Sequence, residues 1–291
     1  MEINDRQNPY KAKDTGHQWD GIRELENPPP KWWRIGFHAS WIVVLIYCVL
    51  YPSIPLLRGS TSGLLGWTQV KEYKESMAEI EKIRSPYEEK IKNMSAREIL
   101  SNPELSNYTQ VSAKVLFGDN CAACHGAGGQ GTPGFPVLAD DDWLYGETIE
   151  DIEEDITLGR TGNMPAHGKT LSKQEIDDVV KYVMQISSGG IYQPGRDVFM
   201  GMTEGEAMCF ACHGEDARGI EDMGSANLAD SIWRFSGTEE GIRDVIIHGV
   251  NDTSDPKTIK ARMPTFGGKL TPTQIKKLAV YVYRLGSVQN E

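Results

Sequence analysis

Two short cysteine–histidine motifs are the residues of this 291-residue chain whose types and spacing could carry out chemistry. They read Cys-x-x-Cys-His, at Cys121, Cys124 and His125 and again at Cys209, Cys212 and His213. Two thiols about one helical turn apart can both reach the vinyl groups on one edge of a porphyrin, and the following imidazole can bind the iron. The spacing predicts two covalently attached haem c groups, with the two histidines as proximal iron ligands.

Other uses of a Cys-x-x-Cys pair have to be weighed against this prediction. One such pair could be a thioredoxin-like redox site, and two could form a zinc site with four cysteines. The two pairs are 88 residues apart, however, which is outside the usual spacing of a zinc ribbon. Neither alternative needs a histidine directly after both pairs, and here each histidine is also followed by glycine, Gly126 or Gly214. The repeated motif therefore favours haem attachment.

Two methionines are the candidates for the sixth iron ligand. Met164 lies 39 residues after His125, and Met263 lies 50 residues after His213. Each precedes a proline, which favours extended backbone, and a thioether ligand stabilises ferrous iron. His167 and His248 could compete, but neither has a counterpart in the other half, so they are predicted to lie at the surface or near haem propionates. Core packing is the prediction for five other methionines, Met184, Met200, Met202, Met208 and Met223.

The second half of the chain is a tandem repeat. Leu138-Ala139-Asp140 with Trp143 recurs as Leu228-Ala229-Asp230 with Trp233, and each Met-Pro is followed by a helix start. Ser172 with Glu175, and Thr271 with Gln274, have the spacing of capping boxes, and apolar residues follow at helical intervals. The repeat predicts two self-sufficient cytochrome c domains, residues 109–190 and residues 191–291, with each histidine and methionine pair inside one domain. The two tryptophans are predicted to pack beside the haems.

The first third of the chain predicts a membrane anchor. Residues 35–57 contain no Asp, Glu, Lys or Arg, and as a helix they would be about 34 Å long, enough for a bilayer core. The run begins late and lacks an A-x-A cleavage site, so an uncleaved anchor is favoured over a signal peptide. Residues 1–34 are predicted to be an irregular tail, and residues 58–108 a helical linker interrupted at Pro86. The predicted fold is mainly α, one N-terminal transmembrane helix followed by two tandem cytochrome c-like haem domains.

The charge is acidic and unevenly distributed. The chain has 30 basic and 41 acidic side chains, which argues against nucleic acid as a partner. Residues 109–190 carry 5 basic and 13 acidic side chains, including Asp140, Asp141 and Asp142. This surface is predicted either to keep the domain soluble or to attract a basic donor cytochrome c. The fifth cysteine, Cys48, lies in an apolar run and is predicted to be a small buried hydrophobe.

These features together resemble the membrane-anchored dihaem subunit of cbb3-type cytochrome c oxidases. The resemblance spans Gly16 to Gly286 and is most specific in the N-terminal portion. The matching stretches there are GHQWDGI at 16–22, PKWW at 30–33, YPSIP at 51–55 and GLLGW at 63–67. It implies two haems with His/Met ligands and electron delivery from a donor cytochrome c toward a catalytic subunit. In that subunit haem and copper reduce oxygen while protons are pumped.

The resemblance also implies the partners and the location. The partners would be the catalytic haem-copper subunit, the monohaem c subunit and the membrane. Because haem is attached outside the bacterial cytoplasm, the chain is expected in the inner membrane with a cytoplasmic N-terminus and periplasmic haem domains. Catalysis would belong to the complex, because no residues for oxygen chemistry are evident in the chain itself. The alternatives are a membrane-anchored dihaem carrier for a periplasmic dehydrogenase and, from another class, a haem-based gas sensor.

Overall fold

A computed structural model describes residues 13–287 of the chain. These residues fall into two compact units that divide between Ile83 and Arg84. The described chain is mainly helical, with three short two-stranded sheets. A mainly α fold is what the sequence predicted.

The first unit begins with a β-hairpin formed by β1 (Asp14–Trp19) and β2 (Ile22–Leu25). The two-residue turn consists of Asp20 and Gly21, with φ angles of 48° and 84°. Asp-Gly is a preferred pair for such a turn because both positions need positive φ. The sequence analysis missed this signal, and the prediction of an irregular tail is wrong for residues 14–25. Residues 1–12 of that predicted tail lie outside the described residues.

Helix α1 (Lys31–Leu50) is long and apolar enough to cross a membrane by its length and composition. Its 20 residues span about 30 Å. It starts four residues before and ends seven residues before the predicted span of 35–57. The early end follows from Pro52, because Tyr51 before it adopts an extended conformation with φ −115° and ψ 157°. A small hairpin of β3 (Pro55–Leu56) and β4 (Gly59–Ser60) follows.

Helix α2 (Gln69–Lys92) runs from the first unit into the second and contains Pro86. The sequence predicted a break at this proline, but the helix continues for six more residues. Tyr87 and Ile91, which follow the proline, pack in the core of the second unit, and this packing offsets the backbone hydrogen bond that proline removes. Helix α3 (Ala96–Ser101) then starts at a capping box of Ser95 and Glu98.

The second unit holds both cysteine–histidine motifs. Its remaining helices are α4 (Pro103–Asn120), α5 (Ala122–His125), α6 (Ile149–Leu158), α7 (Lys173–Ile186), α8 (Gln193–Phe199), α9 (Phe210–His213), α10 (Glu239–His248) and α11 (Pro272–Ser287). Strand β5 (Arg160–Thr161) pairs antiparallel with β6 (Arg262–Met263). Helices α7 and α11 both start at the predicted residues, with the capping-box hydrogen bonds of Ser172–Glu175 and Thr271–Gln274 in place.

The buried side chains form two clusters, and each contains helices from both sequence halves. In the first cluster, α11 packs on α3, α4 and α6, and Tyr281 contacts Phe117 with ring centroids 5.2 Å apart. In the second cluster, α7 packs on α8 and α10, and Tyr182 contacts Phe199 with centroids 5.3 Å apart. Each C-terminal helix therefore packs against the N-terminal helix of the other half.

This packing differs from the contiguous domains 109–190 and 191–291 predicted from the sequence. Helices α7 and α11 have similar apolar faces, as their capping boxes and periodicity indicate. Periodicity identifies which face of a helix is buried but contains no information about which neighbour buries it. The sequence order suggested that each of these helices packs on the N-terminal helix of its own half. In the structure each packs on the N-terminal helix of the other half.

A buried ion pair links the end of α2 to α11. The Nζ atom of Lys277, whose side chain is 8% exposed, lies 2.6 Å from a carboxylate oxygen of Glu88. The hydroxyl of Tyr108 donates to the same oxygen at 2.5 Å. Burial opposes ionisation of Glu88, but the hydrogen bonds from Lys277 and Tyr108 outweigh it and hold the pKa of Glu88 below its usual value.

Replacing Lys277 with alanine should destabilise the second unit by about 1–3 kcal/mol, because it leaves a half-buried carboxylate without its cation. Glu88→Gln in the same chain should recover part of that loss. The difference in the free energy of unfolding between wild type and Lys277→Ala should shrink as the pH falls below the usual glutamate range. The lowered pKa of Glu88 stabilises the folded chain only at a pH where the same carboxyl is ionised in the unfolded chain. Denaturant titrations at several pH values measure this, with exposed Lys114→Ala on α4 as control. Equal costs for Lys277→Ala and Lys114→Ala would contradict the prediction.

Candidate haem sites

The two cysteine–histidine motifs fold into one short helical turn each. In α5 the backbone N–H of His125 donates to the carbonyl of Cys121 at 3.0 Å, and in α9 His213 does the same with Cys209 at 2.9 Å. Each turn ends at a glycine with positive φ, 76° at Gly126 and 77° at Gly214. This glycine lets the chain leave the helix directly after the histidine. Both cysteines and the histidine are thereby placed on one turn.

The imidazoles are oriented by backbone carbonyls. The Nδ1 of His125 lies 3.0 Å from the carbonyl oxygen of Pro136, and the Nδ1 of His213 lies 2.9 Å from that of Ala226. A carbonyl can only accept, so Nδ1–H donates and Nε2 keeps the free lone pair that a metal needs. Burial lowers the pKa of both histidines. Each ring is thus held neutral, in the tautomer that would bind iron through Nε2.

The cysteine thiols do not have the properties of a redox pair. Burial raises the pKa of Cys121 and of Cys209 to about 11. A thiol–disulfide oxidoreductase needs an attacking thiolate, which its surroundings favour by lowering the thiol pKa. The surroundings of these two thiols have the opposite effect, which disfavours the thioredoxin-like alternative.

A cavity of about 260 Å³ lies beside the second motif. It is lined by Cys209, Cys212 and His213, by Trp233, and by Met164 from the first half of the chain. Most of the lining is apolar, as a porphyrin face requires. The predicted position of Trp233 beside this motif is therefore matched by the structure.

The first motif has the corresponding neighbours. Cys121 packs against the first cluster together with Leu138, Trp143 and Met263. Met164 lines the cavity that contains Cys209, Cys212 and His213, and Met263 packs on the same buried cluster as Cys121.

Two of the other methionines lie where the sequence analysis did not expect them, whereas nothing contradicts the predicted positions of His167 and His248 at the surface or near haem propionates. His167 lines the cavity beside the second motif, where burial lowers its pKa and Asp252 partly opposes that effect. Met208 and Met223 also line this cavity, although both side chains are more than half exposed and neither was predicted near a site. His248 instead pairs with Asp255 at 3.1 Å. The neighbours of these side chains depend on the path of distant loops, which their sequence positions do not reveal.

Arg234 is a site residue that sequence reasoning missed. It lines the cavity beside the second motif, and its charge also contributes to the lowered pKa of His125, so it lies near both motifs. Its Nε is buried without a hydrogen-bond partner among the described residues, and burial lowers its own pKa. At the equivalent repeat position the first half has Leu144, which lines the same cavity. In the sequence, the change from leucine to arginine at this repeat position is the one signal that could have identified Arg234.

These observations fit a haem c group at each motif. The two thiols and the oriented Nε2 of each motif would hold the porphyrin edge and the iron, and Met164, which lines the cavity of the second motif, and Met263, which packs on the same cluster as Cys121, are the thioether candidates. A haem supplies a reversible one-electron change at its iron. The protein's part is to bind the iron from both sides and to cover the faces with apolar side chains.

Comparison with known proteins gives two family matches. The model for the "N-terminal domain of cytochrome oxidase-cbb3, FixP" matches residues 11–58. The model for "Cytochrome C oxidase, cbb3-type, subunit III" matches residues 110–183 and 201–282. Together the matches include the hairpin of β1 and β2, the whole of α1 and both motifs.

Curated relatives cover nearly the whole chain. The cbb3-type cytochrome c oxidase subunit FixP of Azorhizobium caulinodans is 40% identical over 94% of this chain and 93% of its own length. FixP of a Bradyrhizobium species is 37% identical over 94% of both chains. The cbb3-type subunit CcoP of Cereibacter sphaeroides is 32% identical over 97% of both chains.

Proposed function

The chain belongs to the subunit III family of cbb3-type cytochrome c oxidases, and from this membership we propose that it is an electron-transfer subunit of such an oxidase. It binds two haem c groups through Cys121 and Cys124 and through Cys209 and Cys212. It passes electrons from a donor cytochrome c toward the catalytic haem-copper subunit, with the monohaem c subunit as a further partner. The observation that carries the proposal is the pair of motifs in which each imidazole is fixed by a backbone carbonyl with Nε2 free.

The residues of the chain suit electron transfer rather than catalysis. If a histidine and a methionine both bind each iron, no position is left for a substrate, and the group would supply only electron transfer. The apolar cavity lining and the buried histidines keep water away from the metal, which limits the reorganisation that each electron transfer requires. Oxygen reduction then belongs to the partner subunit.

The proposed location is the bacterial inner membrane. Helix α1 supports an anchor by its length and composition, and the family match over residues 11–58 includes all of it. Trp32 and Trp33 at its start are residues that favour the membrane interface. The N-terminal hairpin then lies in the cytoplasm and the haem-binding unit in the periplasm.

Affinity purification of the tagged full chain from detergent-solubilised membranes tests the proposal. The chain should carry covalent haem and co-purify with a haem-copper subunit, and the complex should consume oxygen when supplied with reduced cytochrome c. Co-purification with a dehydrogenase instead would support the alternative carrier. Rapid binding of carbon monoxide to the reduced haems of the isolated chain would indicate an open iron position and support the gas sensor.

The proposed entry surface for the donor is the group Asp140, Asp141 and Asp142. Burial, and then repulsion by Asp230 and the neighbouring aspartates, raises the pKa of Asp142 to about 6. Several acidic residues of the following helix, α6, are paired with arginines. Glu150 pairs with Arg97, and Glu154 and Asp155 pair with Arg160. Asp140, Asp141 and Asp142, next to Trp143, have no ion pair among the described residues, and neither have Asp151 and Glu153 of α6.

Replacing Asp140, Asp141 and Asp142 with asparagine should slow second-order reduction by a basic cytochrome c and flatten its salt dependence, because charge steering raises encounter rates. The wild-type rate should also fall between neutral pH and about pH 5, as Asp142 becomes protonated. Stopped-flow mixing measures the reduction rate as a function of salt and of pH. The control for the single variant Asp141→Asn is Glu104→Gln, which removes one exposed carboxylate of α4. Identical rates and salt slopes in wild type and the triple variant would leave these residues with a solvating role only.

A further inference from the structure

Arg234 is a cation whose guanidinium has no counter-charge in the described part of the chain. Its Nε is fully enclosed and has no hydrogen-bond acceptor. Burial lowers the pKa of Arg234, with an opposing contribution from Tyr145 and none from a carboxylate. The ring of Phe235, whose centre is 5.5 Å from the guanidinium carbon, compensates a buried charge only in part. Because such a charge is unfavourable without an anion, we expect an anionic group to bind beside it.

The cavity beside the second motif has room for that anion. Among the described residues that line it, Arg234 is the only one of the types Asp, Glu, Lys and Arg. Most of the other lining side chains are apolar. A haem has two apolar faces and, on one edge, two carboxylate side chains, the propionates. An apolar cavity with one enclosed cation therefore matches both parts of the group.

The backbone places Arg234 between the two motifs. Its carbonyl accepts a hydrogen bond from the N–H of Gly134 at 3.1 Å. Gly134 lies two residues before Pro136, whose carbonyl orients His125. The main chain of Arg234 is thus joined to the loop of the first motif, while its side chain lines the cavity of the second.

The repeat supplies this cation once. The equivalent residue of the first half is Leu144, which is neutral. Beside the first motif lie carboxylates instead, since Asp142 precedes Trp143, and Trp143 packs on the same cluster as Cys121. Ferric haem carries one positive charge more than ferrous haem, so a nearby cation favours the ferrous form and nearby carboxylates favour the ferric form. The two sites therefore differ in the direction in which charge shifts the reduction potential.

We propose that Arg234 pairs with a propionate of the haem at the second motif and raises the reduction potential of that haem above that of the first. This inference rests on the proposed haem binding and goes beyond it. An electron that enters beside Asp140, Asp141 and Asp142 would then move from the first haem to the second. Arg234 acts on the first haem as well, but over a longer distance and therefore more weakly.

The experiment uses two full-chain backgrounds that each carry one haem. Cys121→Ala/Cys124→Ala keeps the haem at the second motif, and Cys209→Ala/Cys212→Ala keeps the haem at the first. Arg234→Leu is introduced into each background and into the chain with both haems. The measurement is a spectroscopic redox titration, together with the covalent haem content of the denatured chain.

Two further variants separate charge from packing. Arg234→Leu introduces the residue that the repeat has at Leu144, and Arg234→Lys keeps the positive charge. Arg218→Leu is the matched control, because it removes an arginine five residues after His213 whose side chain is 75% exposed. Water and salt screen an exposed charge, so the control should change the potential much less.

In the background with the second haem alone, Arg234→Leu should shift the equilibrium about tenfold toward ferric haem, which is about 59 mV for one electron. Arg234→Lys should retain most of the wild-type potential. The shift should be smaller with the first haem alone, and in the chain with both haems the two redox steps should move closer together.

Several results would overturn the proposal. These are a shift no larger than that of Arg218→Leu, equal shifts in the two backgrounds, a lysine variant that behaves like leucine, or redox steps that move apart. If neither background contains covalent haem, the proposed function itself fails, and the haem content distinguishes that outcome.

Thermal unfolding provides a second measurement, in which the effect of Arg234→Leu should change sign. With the second haem present, the substitution should lower the unfolding midpoint, because the propionate loses its cation. In the Cys209→Ala/Cys212→Ala background it should raise the midpoint, because it removes a buried charge that has no anion. A midpoint lowered equally in both backgrounds would show that Arg234 stabilises the protein alone, and would contradict the pairing with haem.

Discussion

Replacing Cys121 and Cys124 together with alanine should reduce the haem content from two per chain to one. Covalent attachment depends on thioether bonds from these thiols, and no other pair in the sequence has a histidine directly after it. The expected effect is complete loss of one haem, because His125 alone would hold it only through the iron. The remaining haem should stay on the peptide that contains Cys209 and Cys212.

The pyridine haemochrome spectrum of the denatured chain, divided by protein concentration, gives the haem count. Mass spectrometry of haem-stained peptides identifies which motif keeps its haem. Cys48→Ala is the control, because it removes the cysteine outside both motifs and should leave two haems. Two haems in the double-cysteine variant would show that attachment does not use the first motif.

Ending the chain after Lys269 should unfold the first cluster and leave the second largely folded. The deletion removes α11, whose buried aliphatic residues Ile275, Leu278, Val280 and Val282 are each at most 5% exposed. At about 1.5–3 kcal/mol for each side chain, their burial is comparable with the whole stability of a typical domain. The sequence-order prediction places the damage in residues 191–291, whereas the structure places it around α4 and α6.

Limited proteolysis with peptide mapping distinguishes the two results. Cleavage should increase in α4 and α6, and α8 and α10 should stay protected by α7. Ile176→Ala and Ile275→Ala provide a matched pair of milder changes, since the two residues are equivalent in the repeat and are 7% and 4% exposed. Each should lower the free energy of unfolding by about 2–5 kcal/mol. The loss should affect the second cluster for Ile176→Ala and the first cluster for Ile275→Ala. New cleavage confined to α8 and α10 after the deletion would contradict the exchanged packing.

The sequence by itself determined the chemistry and the kinds of elements. Haem attachment follows from the two Cys-x-x-Cys-His motifs, because the cysteines and the histidine that it needs lie within five consecutive residues. The starts of α7 and α11 follow from capping boxes, which involve residues three apart. The anchor follows from an apolar run, although its C-terminal end, at Leu50, depended on how Pro52 terminates the helix. The family resemblance came from continuous stretches for the same reason.

The tertiary structure decided which elements meet. Two amphipathic helices with equivalent apolar faces can each bury themselves against either partner, and the burial of apolar area is non-directional, so periodicity cannot choose between them. The choice depends on contacts between residues that are far apart in sequence, such as Met164 with Val250 and Met263 with Arg160. The placement of Arg234 near both motifs depends on the same packing. The sequence therefore identifies the four iron-ligand candidates, and only the fold determines how the histidines and methionines are paired.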